Sequence, residues 1–253
     1  MTTNLHPSAN GRGRTLWEIL TGQNKKDLTP LELQYHNPLK AKIGCTIQFE
    51  NVLEYSGVNF VIEAVVVYKT TIRGKDYYQT DYCCKGNALD WDRPRRVRLR
   101  LIPDEDIANQ LGHQCQLLKH YAEFEYDEGF ETLAMNNGDH DPKWDEEGEV
   151  TFKINYDDDD NEMEEPWRYW RVEDAVDPYE SRVTTLADDD GDNVVEEHEL
   201  EHHSVSYWDF HRTVVDEDGN ESTEYLVVER DDESRYFTLL KGGPIHARSI
   251  TVI

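Results

Sequence analysis

The chain has 253 residues, of which 37% are hydrophobic, and its 14 Tyr and 6 Trp exclude disorder from end to end. Its net charge of −27 sits in one half: residues 126–253 hold 10 Lys+Arg against 38 Asp+Glu, whereas residues 1–125 hold 16 against 15. A field of that sign repels nucleic acid and anionic lipid, and it favours basic proteins, cations or plain solubility.

The start, Met1 to His6, has no apolar h-region, and no apolar run approaches the ~18 residues that span a bilayer, so no membrane insertion is expected. Cys45, Cys83, Cys84 and Cys115 form no CxxC pair and read as free thiols of a cytoplasmic protein. On a strand, adjacent Cys83 and Cys84 point to opposite faces.

Residues 1–14 read as a disordered lead-in. Residues 15–38 carry two short helices: Thr15-Leu16-Trp17-Glu18 is a capping box with Gly22 as a stop, and Thr29-Pro30-Leu31-Glu32 repeats the device before Pro38. Residues 39–126 form a first β unit. Cys45, Ile47 and Phe49 alternate with polar residues, and Phe60, Ile62 and Ala64 follow on one face. Val65-Val66-Val67-Tyr68 continues the run, and Arg73-Gly74-Lys75 is a hairpin turn before Tyr77, Gln79 and Asp81. Val97, Leu99 and Leu101 alternate with Arg96, Arg98 and Arg100. Asp104 to Leu111 reads as a short helix, and Ala122, Phe124 and Tyr126 as a strand.

Residues 127–166 read as an acidic, loop-rich insertion around one strand, Val150–Ile154, and contain the run Asp157–Asp160. Residues 167–253 form a second β unit. It opens on Trp167, Tyr169 and Trp170, with strands at Arg182–Leu186, Val205–Val215, Tyr225–Glu229, Arg235–Leu240 and Ile250–Ile253. Asp218-Gly219 marks a hairpin. The fold class is therefore mainly β: antiparallel meander or barrel-like units with two short N-terminal helices.

Tyr68-Lys69-Thr70-Thr71-Ile72, a Gly74 turn and Thr80-Asp81-Tyr82 match Phe210-His211-Arg212-Thr213-Val214, a Gly219 turn and Thr223-Glu224-Tyr225. Two related copies of one β module explain this spacing, and so does the grammar that any two hairpins share. Gly44-Cys45-Thr46-Ile47, Gly57, Phe60-Val61-Ile62 and Tyr207-Trp208-Asp209-Phe210 complete a wider pattern over residues 40–102 and 204–241. That pattern resembles a bacterial β-rich domain family of unknown function, found beside polyamine-synthase-like and phage-shock-like proteins. The resemblance implies a non-enzymatic accessory or adaptor module tied to envelope stress, and it carries no catalytic residue.

Three constellations bear on chemistry. His198-Glu199-Leu200-Glu201-His202 matches H-E-x-x-H; on a helix His198 and His202 would share a face and hold zinc while Glu199 served as general base of a hydrolase. Glu196, Glu197 and Glu201 around it, and the β-like Val205–Phe210 behind it, favour a solvated acidic segment or adventitious binding by His198, His202 and His203. Asp188-Asp189-Asp190-Gly191-Asp192 resembles a calcium loop with Asp188, Asp190 and Glu197 at ligand positions, but Leu186 stands at position one. Arg96, Arg98 and Arg100 share one strand face, a phosphate or interaction site that the acidic half competes for, and charge pairing within the protein or its assembly is the favoured use. Trp167, Tyr169, Trp170, Tyr207 and Trp208 either line a groove or pack. The function expected is an accessory or protein-interaction module without catalysis, needing no cofactor and meeting a basic protein or another copy of itself rather than nucleic acid. A zinc hydrolase and a calcium-binding protein are the alternatives.

Overall fold

The computed structural model describes residues 36–72, 74–88, 91, 93–104, 109, 111–135, 151–156, 162–171, 179–186, 200–216 and 218–253. The expected lead-in and N-terminal helices lie outside this set except for residues 36–38, which form a turn, and most of the helix expected at 104–111 lies outside it too. Among the described residues twelve strands follow: β1 (Thr46–Phe49), β2 (Phe60–Ile72), β3 (Lys75–Gly86), β4 (Arg95–Pro103), β5 (His113–Phe124), β6 (Thr151–Tyr156), β7 (Glu162–Arg171), β8 (Tyr179–Leu186), β9 (Leu200–Val215), β10 (Glu221–Asp231), β11 (Phe237–Pro244) and β12 (Ile250–Val252). One α-helix among the described residues, α1 (Glu128–Met135), sits between β5 and β6. None of the helices described is long and apolar enough to cross a membrane.

Eight strands close an antiparallel barrel in the order β2-β3-β4-β5-β11-β10-β9-β8, with β8 returning to β2. The two sequence stretches read as separate β units each supply four strands to this single ring. They meet at two seams, β5 with β11 and β2 with β8. Closure removes the exposed edges that a four-stranded meander would keep. The hairpins at Gly74 and Gly219 use φ of +79° and +82°, the left-handed region where a Cβ is costly. At the β5–β11 seam the constraint is different: a Cβ on Gly242 would lie 1.9 Å from the Leu117 carbonyl oxygen.

The structure does not support two copies of one module. The matched residues Tyr68 and Phe210 face opposite sides of the wall: Tyr68 points into the lumen toward Glu229, and Phe210 is buried in an outer cluster. Phe60, Ile62 and Ala64 also fail to share a face. A bulge between Ile62 and Ala64 makes Glu63 the extra residue, so Phe60 and Ile62 pack outside while Ala64 lies with Val66 and Tyr68 inside. Cys83 and Cys84 do part to opposite faces, and all four cysteines are free.

Two apolar shells cover the outside of the ring. On β2–β5, Val65, Tyr82, Cys84, Val97, Leu99 and Leu101 pack beneath β1, β12 and the turn at Tyr55; Phe60 packs against Phe49 and Tyr55, each ring 5.2 Å away. On β9–β11, Trp208, Phe210, Leu226, Val228, Phe237 and Leu239 lie beneath Tyr169, Trp167 and Phe130. Burying each such side chain contributes about 1.5–3 kcal/mol. The insertion read as loop around one strand supplies part of this second cover, through α1. Asp127 Oδ1 caps α1 by accepting from Phe130 N at 2.7 Å, and the Phe130 ring meets Phe237 at 4.9 Å. β7 begins at Glu162, inside the same insertion. It carries Trp167, against which Arg212 and Lys241 stack at 4.3 and 4.1 Å.

Candidate functional site

The barrel lumen holds the densest chemistry in the described residues. Alternation on β4 sends Val97, Leu99 and Leu101 outward and Arg98 and Arg100 inward. Arg100 has 1% of its side chain exposed, Asp81 has none and Glu229 has 7%. Arg100 donates from Nε and Nη2 to the two Asp81 carboxylate oxygens at 3.0 and 2.9 Å, and from Nη2 to Glu229 Oε1 at 2.8 Å. With its amide oxygen turned toward the guanidinium, Gln79 accepts from Arg100 Nε at 2.8 Å. Arg98 Nη1 donates to Glu229 Oε2 at 2.5 Å and to the Tyr68 hydroxyl at 2.9 Å. Strands β2, β4 and β10 are not neighbours in the ring, so these contacts cross the lumen.

The electrostatics favour the charged forms of Arg98, Arg100 and Glu229 and the donating form of Tyr68. Burial works against the Arg98 and Arg100 charges, but Glu229 beside Arg98, and Asp81 with Glu229 beside Arg100, raise both above the ordinary guanidinium value. Burial alone would lift the Glu229 carboxyl; the two arginines and the hydrogen bonds from Arg98 and Tyr68 outweigh it and hold it low. Burial and the facing Glu229 push the Tyr68 phenol well up, so it stays protonated and donates to Glu229 Oε1 at 3.1 Å. Thr70, Ser181 and Tyr207 form a neutral hydroxyl chain beside this network, with burial and Asp209 pushing Tyr207 up to about 12. Burial also raises the Cys83 thiol to about 11.

Of the residues singled out in the sequence, Arg98 and Arg100 enter the lumen together. Arg96 stays exposed beyond its mouth, where its Nε meets Glu63 at 3.3 Å. Asp188, Asp190, Glu197, His198 and Glu199 lie outside the described residues. From Leu200 onward the chain is strand, not helix, because it pairs with β8. His202 and His203 therefore project to opposite faces; His202 Nδ1 lies 3.0 Å from Thr184 Oγ1 and His203 Nε2 lies 3.9 Å from Asp231. The helical face that H-E-x-x-H needs does not extend to His202. Among the described residues no group of three or more His, Cys, Asp or Glu is placed to hold a metal.

The network partners Asp81, Glu229 and Tyr68 were missed as site residues. Their signal was present: Leu226-Val227-Val228-Glu229 and Val65-Val66-Val67-Tyr68 are apolar on both strand faces, which marks walls buried on both sides. An acid ending such a run needs a buried cation, and the alternating arginines supply it. Comparison of the chain with protein-family models, with curated proteins and with solved structures found no match.

Proposed function

We propose that the chain is a non-catalytic accessory module that recognises a protein partner by charge. The observation that carries this reading is the division of charge. The arginines inside the barrel are matched by Asp81 and Glu229, while the excess of 38 acids over 10 bases in residues 126–253 leaves a large acidic balance for an outside partner. Such a field steers a basic surface toward the molecule and discriminates against acidic ones. The partner is a basic protein, or a second copy whose Lys85, Arg95 and Arg96 meet the acidic half; an accessory role is also what the resemblance over residues 40–102 and 204–241 implies. The measurement is light-scattering mass at low and high salt, with titration by an oligolysine peptide. The reading predicts either a mass above the 29.6 kDa of one chain at low salt or saturable peptide binding that salt suppresses. A single-chain mass at every salt concentration together with no saturable binding overturns it.

A further inference from the structure

At one mouth of the barrel the inner side of β3 and β4 is basic, while Glu201 of β9 and Asp231 of β10 share the inner face across from it. Past the last pairing of β2 with β8, Val65 with Leu186, strands β3 and β4 continue, and Lys85 is the partner of Arg96 as Cys83 is of Arg98. Strand alternation puts Lys85, Arg96 and Arg98 on the face that carries Asp81 and Arg100 deeper in. Glu63, the extra residue of the bulge, is the one carboxylate shared by the outer two, 3.5 Å from Lys85 and 3.3 Å from Arg96. Arg98 itself engages only Nη1, which Tyr68 and Glu229 hold from below. Nothing among the described residues takes a hydrogen bond from its Nε or Nη2, and 23% of the side chain is exposed. In Arg100 that same Nε–Nη2 edge grips the Asp81 carboxylate. It is the edge that matches two oxygens of one carboxylate or phosphate.

We propose that this mouth binds a small oxyanion, a phosphate or carboxylate group of a small molecule, on the Nε–Nη2 edge of Arg98 with Arg96 and Lys85 at its flank. The side chain is oriented in advance by Tyr68 and Glu229, so binding orders no long flexible chain. The ligand is small because the net charge of −27 repels an extended polyanion, whereas a single phosphate or carboxylate group fits against the Arg98, Arg96 and Lys85 side of the mouth. The proposal stands whether or not the chain also has a basic protein partner.

The test follows arginine Nε–Hε resonances of the full chain while phosphate, and separately acetate, replaces chloride at constant ionic strength. A saturable shift of the Arg98 resonance is expected with phosphate, acetate or both, and the stronger response names the oxyanion. Arg98→Lys keeps the charge, lacks the planar edge and should lose the response. Lys85→Ala and Arg96→Ala, both at exposed positions, should each weaken it roughly fivefold. Arg95→Ala should leave it unchanged, because Arg95 turns away to Glu54 and stacks over Trp91. Should Arg98→Lys fail to fold, the Lys85→Ala/Arg96→Ala double variant decides. Unchanged affinity there, or a response that never saturates, overturns the proposal.

Discussion

On β4 one strand serves two opposite solvents. Its outward residues Val97, Leu99 and Leu101 sit in an apolar shell, and its inward residues Arg98 and Arg100 sit in ion pairs. In this barrel the main apolar clusters lie outside the ring, beneath β1 and β12 on one side and beneath β7 and α1 on the other. The inner face has small apolar groups, Val66, Val183 and Val205 near one end and Leu118, Val227 and Leu240 elsewhere, around a charged centre. The difference teaches how each region answers damage. An apolar shell loses contacts in proportion to what is removed, whereas an ion-paired lumen, once one partner is gone, holds an uncompensated buried charge.

The comparison breaks most completely at the seam that holds both regions together. Gly242→Val would drive a side chain into the Leu117 carbonyl and the Leu118 Cα, which are backbone atoms of β5. The ring cannot close around it, and urea unfolding should show a loss of about 4 kcal/mol or more. Next comes Arg100→Met, which strips Asp81 of its bidentate partner and leaves Glu229 to Arg98 and Tyr68, and it should cost about 3–5 kcal/mol. Replacing Arg98, Arg100, Asp81 and Glu229 together by Met, Met, Leu and Leu should recover most of that loss. If the fourfold variant is no more stable than Arg100→Met, the lumen charges are not the source of the cost.

Glu229→Gln sharpens the same contrast through pH. The folded-state carboxyl is held below its unfolded value, so its ionised form stabilises the fold above the unfolded pKa of about 4.3 and that stabilisation fades as pH falls through the lower folded value. At neutral pH the variant should be less stable by about 1.5–3 kcal/mol, the worth of charged hydrogen bonds. The gap between variant and parent should shrink as acid protonates Glu229; a gap that stays constant down to the acid limit contradicts the assignment. The smallest effect belongs to the outer shell. Trp208 is fully buried, and its Nε1 has no hydrogen-bond partner among the described residues. Trp208→Phe removes apolar contact but also an unsatisfied donor, so thermal unfolding should register a loss of only about 1 kcal/mol.

Much of the ring was legible in the chain because period-two alternation reports a strand wherever one face differs from the other. The β4 run from Arg96 to Leu101, the Gly74 and Gly219 hairpins and the parting of Cys83 from Cys84 all follow from it. It misled where the period slipped: the bulge at Glu63 turned Ala64 inward, and no local signal announces an extra residue. It was silent on α1, whose Gly129 and acidic first turn resemble a loop until Phe130 finds Phe124 and Phe237. Half of the candidate site could be read: three arginines on one face, expected to pair within the protein or its assembly. Which acids would meet them could not, because Glu229 lies 129 residues beyond Arg100.

By itself, then, the sequence determined the β class, the two hairpin turns and the shared face of the arginines. Each of these is a local property of spacing or backbone freedom. Only the tertiary structure decided that two four-stranded runs close one ring, that the apolar shells lie outside it, and that Asp81 and Glu229 converge on Arg98 and Arg100. Strand pairing across β2–β8 and β5–β11 is a choice between distant segments, made by the total area buried and the charges satisfied when the ring shuts.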